Sequence, residues 1–547
     1  MKSKKYFAIM GMLVIASMIL TACGGGAGTT GAPVTLRINW GTEPPALDPA
    51  LATDSTSIDV IHNLFAGLTQ FDPVDGSVLP YLATSWDVSD DGLTYTFHLR
   101  DDMAWVEYDR ATGVVSEVKD EDGNTRYVTA FDVEYGVKRT LNPDTGSGYA
   151  YVMYIIKNGA AFNGGEEGMS MDDLGVHAVD ATTVEFTLEN PAAYFPSISA
   201  MWTAWPVPEW TIAEHGEAWT EAENIISNGP YVLDSWVHGD QLVLVKNPLW
   251  INAESVQIDR VEGVMIVEAS TTFALYENDE LDSAGVPSPE IDRVKADPVL
   301  SADFYNAPDP ATYYYGFNHQ KYPFDNRDVR AAFSQAIDRQ SLIDNVLKGG
   351  QLAATSFAPP GIFGAPPAGT VGLGYDPEGA KADLQSFLDS EGMTIEEFNG
   401  LGITLMHNTS EGHARIAAAV QQMWADVLGV EVAVENQEWA VYLDTVGATT
   451  PIAESPHIYR MAWGADYPDE NNWVHEVFNS EAGANRLRRN CDDPDCGSSG
   501  SSEFDELTVA AGIENDPDKR AELYLRAETI LAEEEADAAF IYHYTTV

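Results

Sequence analysis

Short stretches of alternating apolar and polar residues mark strands in the first part of the chain. Residues 34–39 (Val-Thr-Leu-Arg-Ile-Asn) alternate strictly, and so do residues 93–99 (Leu-Thr-Tyr-Thr-Phe-His-Leu). The second run follows residues 89–92 (Ser-Asp-Asp-Gly), a combination typical of a tight turn. Because alternation puts every second side chain on one face, both runs are predicted to be half-buried strands.

Helix signals lie between the strand signals. Thr129 is a good N-cap residue, and Asp132 places an acid in the first turn that would follow. Lys138 and Arg139 put positive charge where the last turn would lie. This segment is therefore predicted to be a helix that begins at Thr129.

Two longer helices are predicted in the second half of the chain. Residues 329–347 carry apolar side chains at helical spacing and end just before Gly349. Residues 414–428 end at Gly429 and lead into an alternating run at 430–434, which predicts a strand. Strands that alternate with helices indicate mixed α/β lobes.

The N-terminus has the pattern of an export signal. Three lysines within the first five residues precede an apolar run over 6–20, which is shorter than the roughly 20 residues of a membrane-spanning helix. Residues 20–23 (Leu-Thr-Ala-Cys) resemble a bacterial lipobox, which implies cleavage before Cys23 and lipidation of its thiol. The alternative is an ordinary secretory signal with an incidental cysteine.

This interpretation divides the start of the chain into two segments. Residues 1–22 are predicted to be a lipoprotein signal peptide. Residues 23–32 are predicted to be the lipidated cysteine and a flexible leash, because glycine predominates there and no hydrophobic pattern appears. No later stretch is apolar over a long enough run to cross a bilayer.

Composition indicates a large, acidic, globular protein. The 547 residues are 45% hydrophobic, which is more chain than one core usually supports, so at least two lobes are expected. The 29 basic and 85 acidic residues give a net charge of −56. Such a surface repels nucleic acid and anionic lipid, which excludes both as binding partners. Solubility outside the cell explains the acidity.

The two remaining cysteines, Cys491 and Cys496, lie five positions apart. In an oxidising compartment a local disulfide is the natural interpretation. A metal site is the rival, because Asp492, Asp493 and Asp495 lie between the two thiols. That rival lacks the partner pair or nearby histidine of the usual zinc pattern, so no metal is predicted.

Catalytic signatures are absent from the sequence. It contains no Gly-x-Ser-x-Gly, no Cys-x-x-Cys and no phosphate-binding loop. Carboxylate pairs carry no weight in so acidic a chain. We therefore predict neither an enzyme nor a bound cofactor.

Ordered motifs over almost the whole chain carry a family resemblance. They are residues 47–49 (Leu-Asp-Pro), 64–68 (Leu-Phe-Ala-Gly-Leu), 80–100, 227–231 (Ser-Asn-Gly-Pro-Tyr), 246–250, 312–315, 328–332, 336–339, 435–439 and 463–467 (Trp-Gly-Ala-Asp-Tyr). Each is weak alone, but the ordered set is specific. Together they resemble the extracytoplasmic solute-binding proteins of family 5, the peptide- and nickel-binding receptors of ABC importers, and most closely the oligopeptide-binding members.

The resemblance implies an α/β, bilobal periplasmic-binding-protein-like fold with a hinge between two large lobes and an extra small lobe. The first lobe is discontinuous and is expected over 33–65 and 192–308. The small second lobe is expected over 66–191 and the third lobe over 309–544. Family members continue past the motif at 539–544, so strands that return to the first lobe are expected after Val547.

The implied function is capture of short oligopeptides by closure of the lobes. The expected partners are the peptide, an ABC permease with its ATPase, and the membrane through the lipid anchor of an extracytoplasmic monomer. Dipeptide, nickel, haem or sugar specificity remains open within this class. A secreted hydrolase that uses Asp466 and Asp469 is the rival from another class.

The resemblance also implies ligand-binding residues. Asp466, in the same motif as Trp463, falls on the position that holds the ligand's α-ammonium, and a turn aspartate is the alternative. Arg460, His413 and Asn408 fall on pocket positions, of which the arginine and histidine help to meet the ligand's carboxylate. For Arg460 the alternative is a structural ion pair, and for His413 a helix-start histidine satisfied by solvent.

Three more residues fall on pocket positions of the family. Tyr149 and Trp439 would supply aromatic walls, and Asn485 would complete the set. Core packing is the alternative for all three.

The chain departs from the family pattern at three places. Ala311 and Gly464 replace two cysteines that are paired in the family. Leu347 stands at the position of a pocket lysine, with Lys348 beside it. The stretch 446–455 has an insertion and no basic residue where a family arginine is expected.

Overall fold

The computed structural model describes residues 33–481, 484–489 and 502–547. The predictions for Cys23, Cys491 and Cys496, and for the segments 1–22 and 23–32, lie outside these described residues. Within them, no helix combines the length and apolar character that a bilayer crossing requires.

The first sheet joins the start of the described chain to a later hairpin. Its strands, in spatial order, are Thr35–Asn39, Arg260–Val264, Gln241–Lys246 and Tyr231–Val237. The first two pair in parallel and the others are antiparallel. The strand predicted over 34–39 is therefore confirmed.

A small antiparallel sheet follows along the chain. Its strands, in spatial order, are Ala83–Val88, Thr94–Leu99, Thr183–Thr187 and Val176–Asp180. Tyr95, Phe97 and Leu99 are buried and alternate with half-buried residues, as the pattern predicted. Two short hairpins accompany it, Thr69–Phe71 with Val78–Pro80 and Val106–Asp109 with Val114–Glu117.

The helix Ala130–Leu141 packs against this small sheet. Thr129 is its N-cap residue, and Asp132 accepts a hydrogen bond from the Thr129 backbone N–H at 2.7 Å. The predicted beginning and the basic last turn are both confirmed.

The largest sheet lies in the second half of the chain. Its strands, in spatial order, are Leu352–Ala353, Ala538–Thr546, Ala307–Phe317, Ile458–Gly464, Thr404–Asn408 and Ala433–Gln437. In the central strand, Tyr313, Tyr315 and Phe317 pack into one core cluster and Tyr314 into another. Over residues 312–317 the strand is thus buried on both faces, whereas residues 307–311 are half-buried or exposed.

Three helices, Arg327–Gln335, Pro377–Glu391 and Glu411–Leu428, belong to one core cluster of this sheet. Trp424 is fully buried there, and its ring lies 5.0 Å from that of Phe333. The remaining α-helices are Ser55–Leu64, Gly159–Asn163, Phe195–Ile198, Glu209–His215, Ala269–Glu277, Ile291–Ala296, Leu300–Asp303, Arg339–Leu342, Ile395–Asn399, Trp439–Thr445, Val474–Phe478, Ser502–Ile513 and Pro517–Thr529.

Besides the helix predicted from residue 414, which begins at Glu411, two boundaries predicted from the sequence are wrong. The continuous helix over 329–347 is broken after Gln335, and a new helix begins at Arg339. The buried guanidinium of Arg339 stabilises the break, because it donates to the backbone carbonyls of Ser334, Ile337 and Phe540.

The second error concerns the strand predicted over 430–434, which instead spans Ala433–Gln437. Val430 and Val432 are buried, as their alternation predicted. However, the hydrogen-bonded register with the neighbouring strand begins only at Ala433. The buried apolar residues thus begin three positions before the hydrogen-bonded strand.

Candidate ligand-binding cavity

A cavity of about 650 Å³ lies at the end of the strand Ile458–Gly464, beside the helices Ser55–Leu64 and Trp439–Thr445. This volume falls within the range of roughly 300–1,000 Å³ that is typical of small-ligand sites. Five of the predicted ligand-binding residues line it: Tyr149, Trp439, Arg460, Trp463 and Asp466.

The carboxyl of Asp466 is held by neutral partners. Asn472 Nδ2 donates to its Oδ2 at 2.9 Å, and the Tyr149 hydroxyl lies 3.5 Å from the same oxygen. Among the described residues, no cation forms an ion pair with it. Burial raises the pKa of Asp466 to about 7, against the lowering effect of Asn472 and Tyr149. Near neutral pH this group is therefore poised between its two charge states.

Asn472 fixes the geometry around Asp466. Its Oδ1 accepts from the Asp466 backbone N–H at 2.8 Å and from Trp463 Nε1 at 3.3 Å. Its Nδ2 also donates to Glu476 at 2.7 Å. Burial raises the pKa of Glu476 to about 8. Asn472 is fully buried, so this one amide positions both acids and the indole.

Aromatic rings form one wall of the cavity. The Tyr149 and Trp463 rings are stacked with centroids 6.2 Å apart, and the Trp202 ring centroid lies 5.2 Å from that of Tyr149. Trp439 stacks on Tyr442 at 6.1 Å. Rigid aromatic faces can pack against varied ligand side chains without specific hydrogen bonds.

Arg460 is 7% exposed and reaches the cavity from the large sheet. Its guanidinium donates to Asn408 Oδ1 at 3.2 Å and to the Tyr544 hydroxyl at 2.6 Å, and it lies over the Tyr313 ring. No carboxylate among the described residues forms an ion pair with it. The structural ion pair considered as an alternative for Arg460 is therefore absent there.

Asn408, His413 and Asn485 lie outside the lining of this cavity. Asn408 reaches it through Arg460. The His413 ring lies 5.6 Å from that of Tyr313, and burial lowers the pKa of this histidine well below its usual value. The Asn485 side chain donates to the carbonyl of Arg489 at 3.1 Å.

Several residues of the site carried no sequence signal. Asp54, Asp59 and Arg486 line the cavity, and Asn472 organises it. Asp54 and Asp59 are two of 85 acidic residues, so nothing in their spacing separated them from the acidic surface. Arg486 is one of only 29 basic residues in the chain, and it lies near the family motifs. These two facts are the only sequence signal that could have identified it.

The structure shows the contacts made at the three places where the chain departs from the family pattern. Ala311 and Gly464 are paired directly across neighbouring strands, and a Cβ placed on Gly464 would lie 3.9 Å from that of Ala311. Lys348 Nζ forms an ion pair with Asp292 at 2.6 Å. The stretch 446–455 receives hydrogen bonds from Arg488, whose guanidinium donates to the carbonyls of Gly447 and Thr450.

Within the described part of the chain, no group of three or more histidine, cysteine, aspartate or glutamate side chains is arranged to hold a metal ion.

Comparisons with known proteins agree on one family. A sequence profile described as bacterial extracellular solute-binding proteins, family 5 Middle, matches residues 77–485. The chain is 35% identical over 558 residues to the oligopeptide-binding protein OppA of Bacillus subtilis. This alignment covers 99% of this chain and 95% of that protein.

A solved structure is similar over the same length. The murein tripeptide-binding protein MppA of Escherichia coli superposes with a TM-score of 0.80 at 30% identity, covering 94% of each chain. The TM-score against the unliganded open form of MppA is 0.60, although the identity is again 30%. The arrangement described here is therefore less like that open form.

Proposed function

This chain belongs to the bacterial extracellular solute-binding proteins of family 5, as its motifs predicted, and from this premise we propose that it is the receptor of an ABC importer that captures short oligopeptides. The α/β multi-lobed fold expected for that family is confirmed by the superposition on MppA. One observation carries the peptide proposal: the cavity contains a carboxyl, Asp466, that lacks a cationic partner among the described residues.

The α-ammonium of a peptide would supply the cation that Asp466 lacks. A buried charge is costly unless it is paired, so an ionised Asp466 is stabilised when an ammonium binds. Every peptide with a free N-terminus offers this group, so the contact would select peptides without reading their sequence.

Arg460 and Arg486 are the cations of the cavity. Arg460 is held by neutral partners, Asn408 and Tyr544, and keeps its full positive charge for a ligand. We propose that these arginines meet the ligand's C-terminal carboxylate. His413 would act one step further out, through the Tyr313 ring and Arg460.

Capture would proceed by closure of the lobes around the peptide. We propose that the lobes are 33–65 with 192–308, 66–191, and 309–544. Each of the three main sheets takes nearly all its strands from one of these segments, which supports hinge motion between them. The lower TM-score against the open form of a relative agrees with two arrangements of the same lobes.

A receptor, and not a hydrolase, is the function proposed. The relatives described above are named as binding proteins. The rival mechanism needs Asp469 as a second free carboxylate, but Arg520 engages both of its oxygens, at 2.6 and 2.8 Å. Incubation with peptides followed by mass spectrometry should return them intact, whereas cleaved products would overturn this part of the proposal.

The test of the proposal uses Asp466→Asn, which keeps the shape and removes the charge. Removing one partner of a buried, hydrogen-bonded charge pair costs about 2–5 kcal/mol, which is roughly a thirty-fold or greater loss of affinity. Calorimetric titration with tri- to pentapeptides should show that loss. N-acetylated peptides should lose a comparable amount on the wild-type protein and little more on the variant, because both changes remove the same contact.

Equal affinity of the wild-type protein for free and acetylated peptides would contradict the proposal. Asp466 would then be a turn residue outside the ligand site. Peptides that fail to bind at all would contradict the whole proposed function.

We also propose that the protein is an extracytoplasmic monomer anchored by lipid on Cys23. The lipobox pattern supports this, and Cys23→Ser should release the protein from the membrane fraction. A variant that still fractionates with membranes would contradict the anchor.

For Cys491 and Cys496 we propose a disulfide. The non-reduced protein should yield a peptide that is about two mass units lighter than its dithiol form, because two hydrogens are lost on oxidation. Two free thiols with bound zinc would instead support the metal alternative.

A further inference from the structure

Besides Asp466 and Asp309, two acids of one helical segment line the cavity. Asp54 and Asp59 lie at the start and in the middle of the helix Ser55–Leu64, and both belong to the cavity lining. The proposed function uses neither of them.

Asp54 has more acceptor capacity than its local structure uses. It is the N-cap residue of the helix, and its Oδ1 accepts from the Ser57 backbone N–H at 3.2 Å. The residue is only 4% exposed, yet its Oδ2 is buried with no hydrogen-bond partner in the described part of the protein. Burial raises the pKa of Asp54, although N–H and hydroxyl groups of Ser57 and Trp439 nearby lower it in part. Oδ1 of Asp54 therefore caps the helix, whereas Oδ2 has no such structural role.

Asp59 has no structural partner for its carboxylate. It is open to the cavity, and within residues 33–481, 484–489 and 502–547 it forms no ion pair. Asp59 remains exposed at the cavity wall, where partial desolvation and then the neighbouring carboxylate of Asp54 raise its pKa to about 6. At neutral pH Asp59 therefore carries a negative charge that no ion pair within the described residues compensates.

The nearest titratable neighbour on the helix does not act as a counter-ion. His62 lies one turn beyond Asp59, and its ring packs on Trp202 and Trp205. Burial lowers the pKa of His62 to about 4, so the imidazole is neutral at physiological pH. Arg460 and Arg486 line the same cavity, but among the described residues neither forms an ion pair with Asp54 or Asp59, so a ligand cation can pair with these acids.

The lining around the two acids suits a long cationic side chain. Ile58, Trp439 and Leu443 belong to the same cavity and offer apolar surface. Lysine and arginine bury their methylene stems on such surface while the charged end reaches a carboxylate.

We infer that Asp54 and Asp59 form a subsite for the cationic side chain of a lysine or arginine in the bound peptide. This subsite is separate from Asp466, which takes the α-ammonium. The inference rests on the proposed function, and it adds a preference for basic peptides to a receptor that otherwise does not read sequence.

The test uses tetra-alanine and its four single-lysine variants, each with a matched ε-N-acetyl-lysine peptide. Calorimetry gives the affinity ratio between each lysine peptide and its acetylated counterpart, in which any general damage to a variant cancels. At one position, lysine should bind about tenfold more tightly than acetyl-lysine, because acetylation removes the charge and keeps the stem.

Two variants locate the effect. Asp59→Asn should bring the affinity ratio down to about one, because it removes the charge. Asp54→Asn should lower the ratio without disrupting the helix, because asparagine is also a good N-cap residue. Asp426→Asn is the matched control: this exposed acid on the helix Glu411–Leu428 does not line the cavity, and the ratio of the variant should equal that of the wild type.

The outcomes separate the two proposals. Tetra-alanine that binds while no lysine position is preferred overturns the subsite and leaves the peptide receptor intact. A lysine preference that survives in both Asp54→Asn and Asp59→Asn also overturns it. Failure of every peptide to bind overturns the proposed function itself.

Discussion

Asp466 and Asp469 lie three residues apart on one loop, but their environments differ completely. Asp469 receives two hydrogen bonds from Arg520, at 2.6 and 2.8 Å, and one from the Asn471 backbone N–H. Asp466 is held only by Asn472 and the more distant Tyr149 hydroxyl. One carboxylate is fully paired inside the protein, and the other faces a cavity.

The difference shows how one loop can serve both stability and binding. Arg520 is packed among the rings of Tyr194, Phe363 and Tyr524, so the pair that it forms with Asp469 is part of the core. This pair fixes the loop, and Asn472 then orients Asp466 towards the cavity. The ion pair of Asp469 thus helps to position Asp466, whose carboxyl group stays available for a ligand.

Removing the charge of Asp469, the paired acid, should destabilise the protein most. Asp469→Asn would leave Arg520 buried without its counter-charge, which typically costs about 3–5 kcal/mol of stability. Urea unfolding followed by tryptophan fluorescence measures this loss. Asp466→Asn is the matched variant on the same loop and should lose little or no stability. Similar losses for both would show that Asp466 is structural.

A second prediction adds stability beside Asp466 without changing any charge. The Cβ positions of Ala311 and Gly464 lie 3.9 Å apart, within the roughly 3.5–4.5 Å that a disulfide requires. The double variant Ala311→Cys with Gly464→Cys should therefore oxidise and gain about 2–4 kcal/mol. Unfolding with and without reductant measures the gain. Thiols that stay free under oxidising conditions would contradict the strand register.

The third prediction concerns protons at the unpaired acid. Asp466 has a pKa of about 7 without ligand, but it must be ionised to hold an ammonium. Below pH 7 binding therefore releases a proton, and affinity should fall about tenfold per pH unit for a peptide without basic side chains. Calorimetry in buffers of different ionisation enthalpy detects that release. Asp466→Asn should flatten the profile.

The same pKa has a consequence for stability. Because the folded-state pKa is raised above the ordinary value, the folded protein binds more protons than the unfolded chain between about pH 4 and pH 7. The contribution of Asp466 to the free energy of unfolding should therefore fall as pH rises through this window. A wild-type slope identical to that of Asp466→Asn would contradict the raised pKa.

The smallest effect is expected for a pair at the surface. Lys348 and Asp292 are 2.6 Å apart, but their side chains are 32% and 70% exposed. Lys348→Ala should leave the free energy of unfolding nearly unchanged, because water and salt screen the pair. Peptide affinity should stay unchanged in the same titration. A clear loss of affinity would give Lys348 the ligand contact of the family lysine.

Much of the fold was predictable from the sequence because local signals agree with the tertiary structure. The alternation over 93–99 and the cap at Thr129 each gave the correct element. The break after Gln335 was not predictable, since Arg339 stabilises it through the carbonyl of Phe540, which is distant in sequence. Helical periodicity continues across that break and gives no sign of it.

The candidate site divides in the same way. Trp463 and Asp466 stand in a motif that the sequence shows directly, and the structure places both on the cavity with Tyr149, Trp439 and Arg460. Asn472 follows that motif closely, but no rule of spacing marks an asparagine as the partner of an acid.

The family, the alternation of helices and strands, and the residues of the Trp-Gly-Ala-Asp motif can all be recognised in the amino-acid sequence. Which acids are neutralised and which are free depends on how the chain folds. Asp469 meets Arg520 from a distant helix, whereas Asp54, Asp59 and Asp466 meet no cation among the described residues. The energy of a carboxylate depends on burial and on charges within a few ångströms, and neighbours in space are not neighbours in sequence.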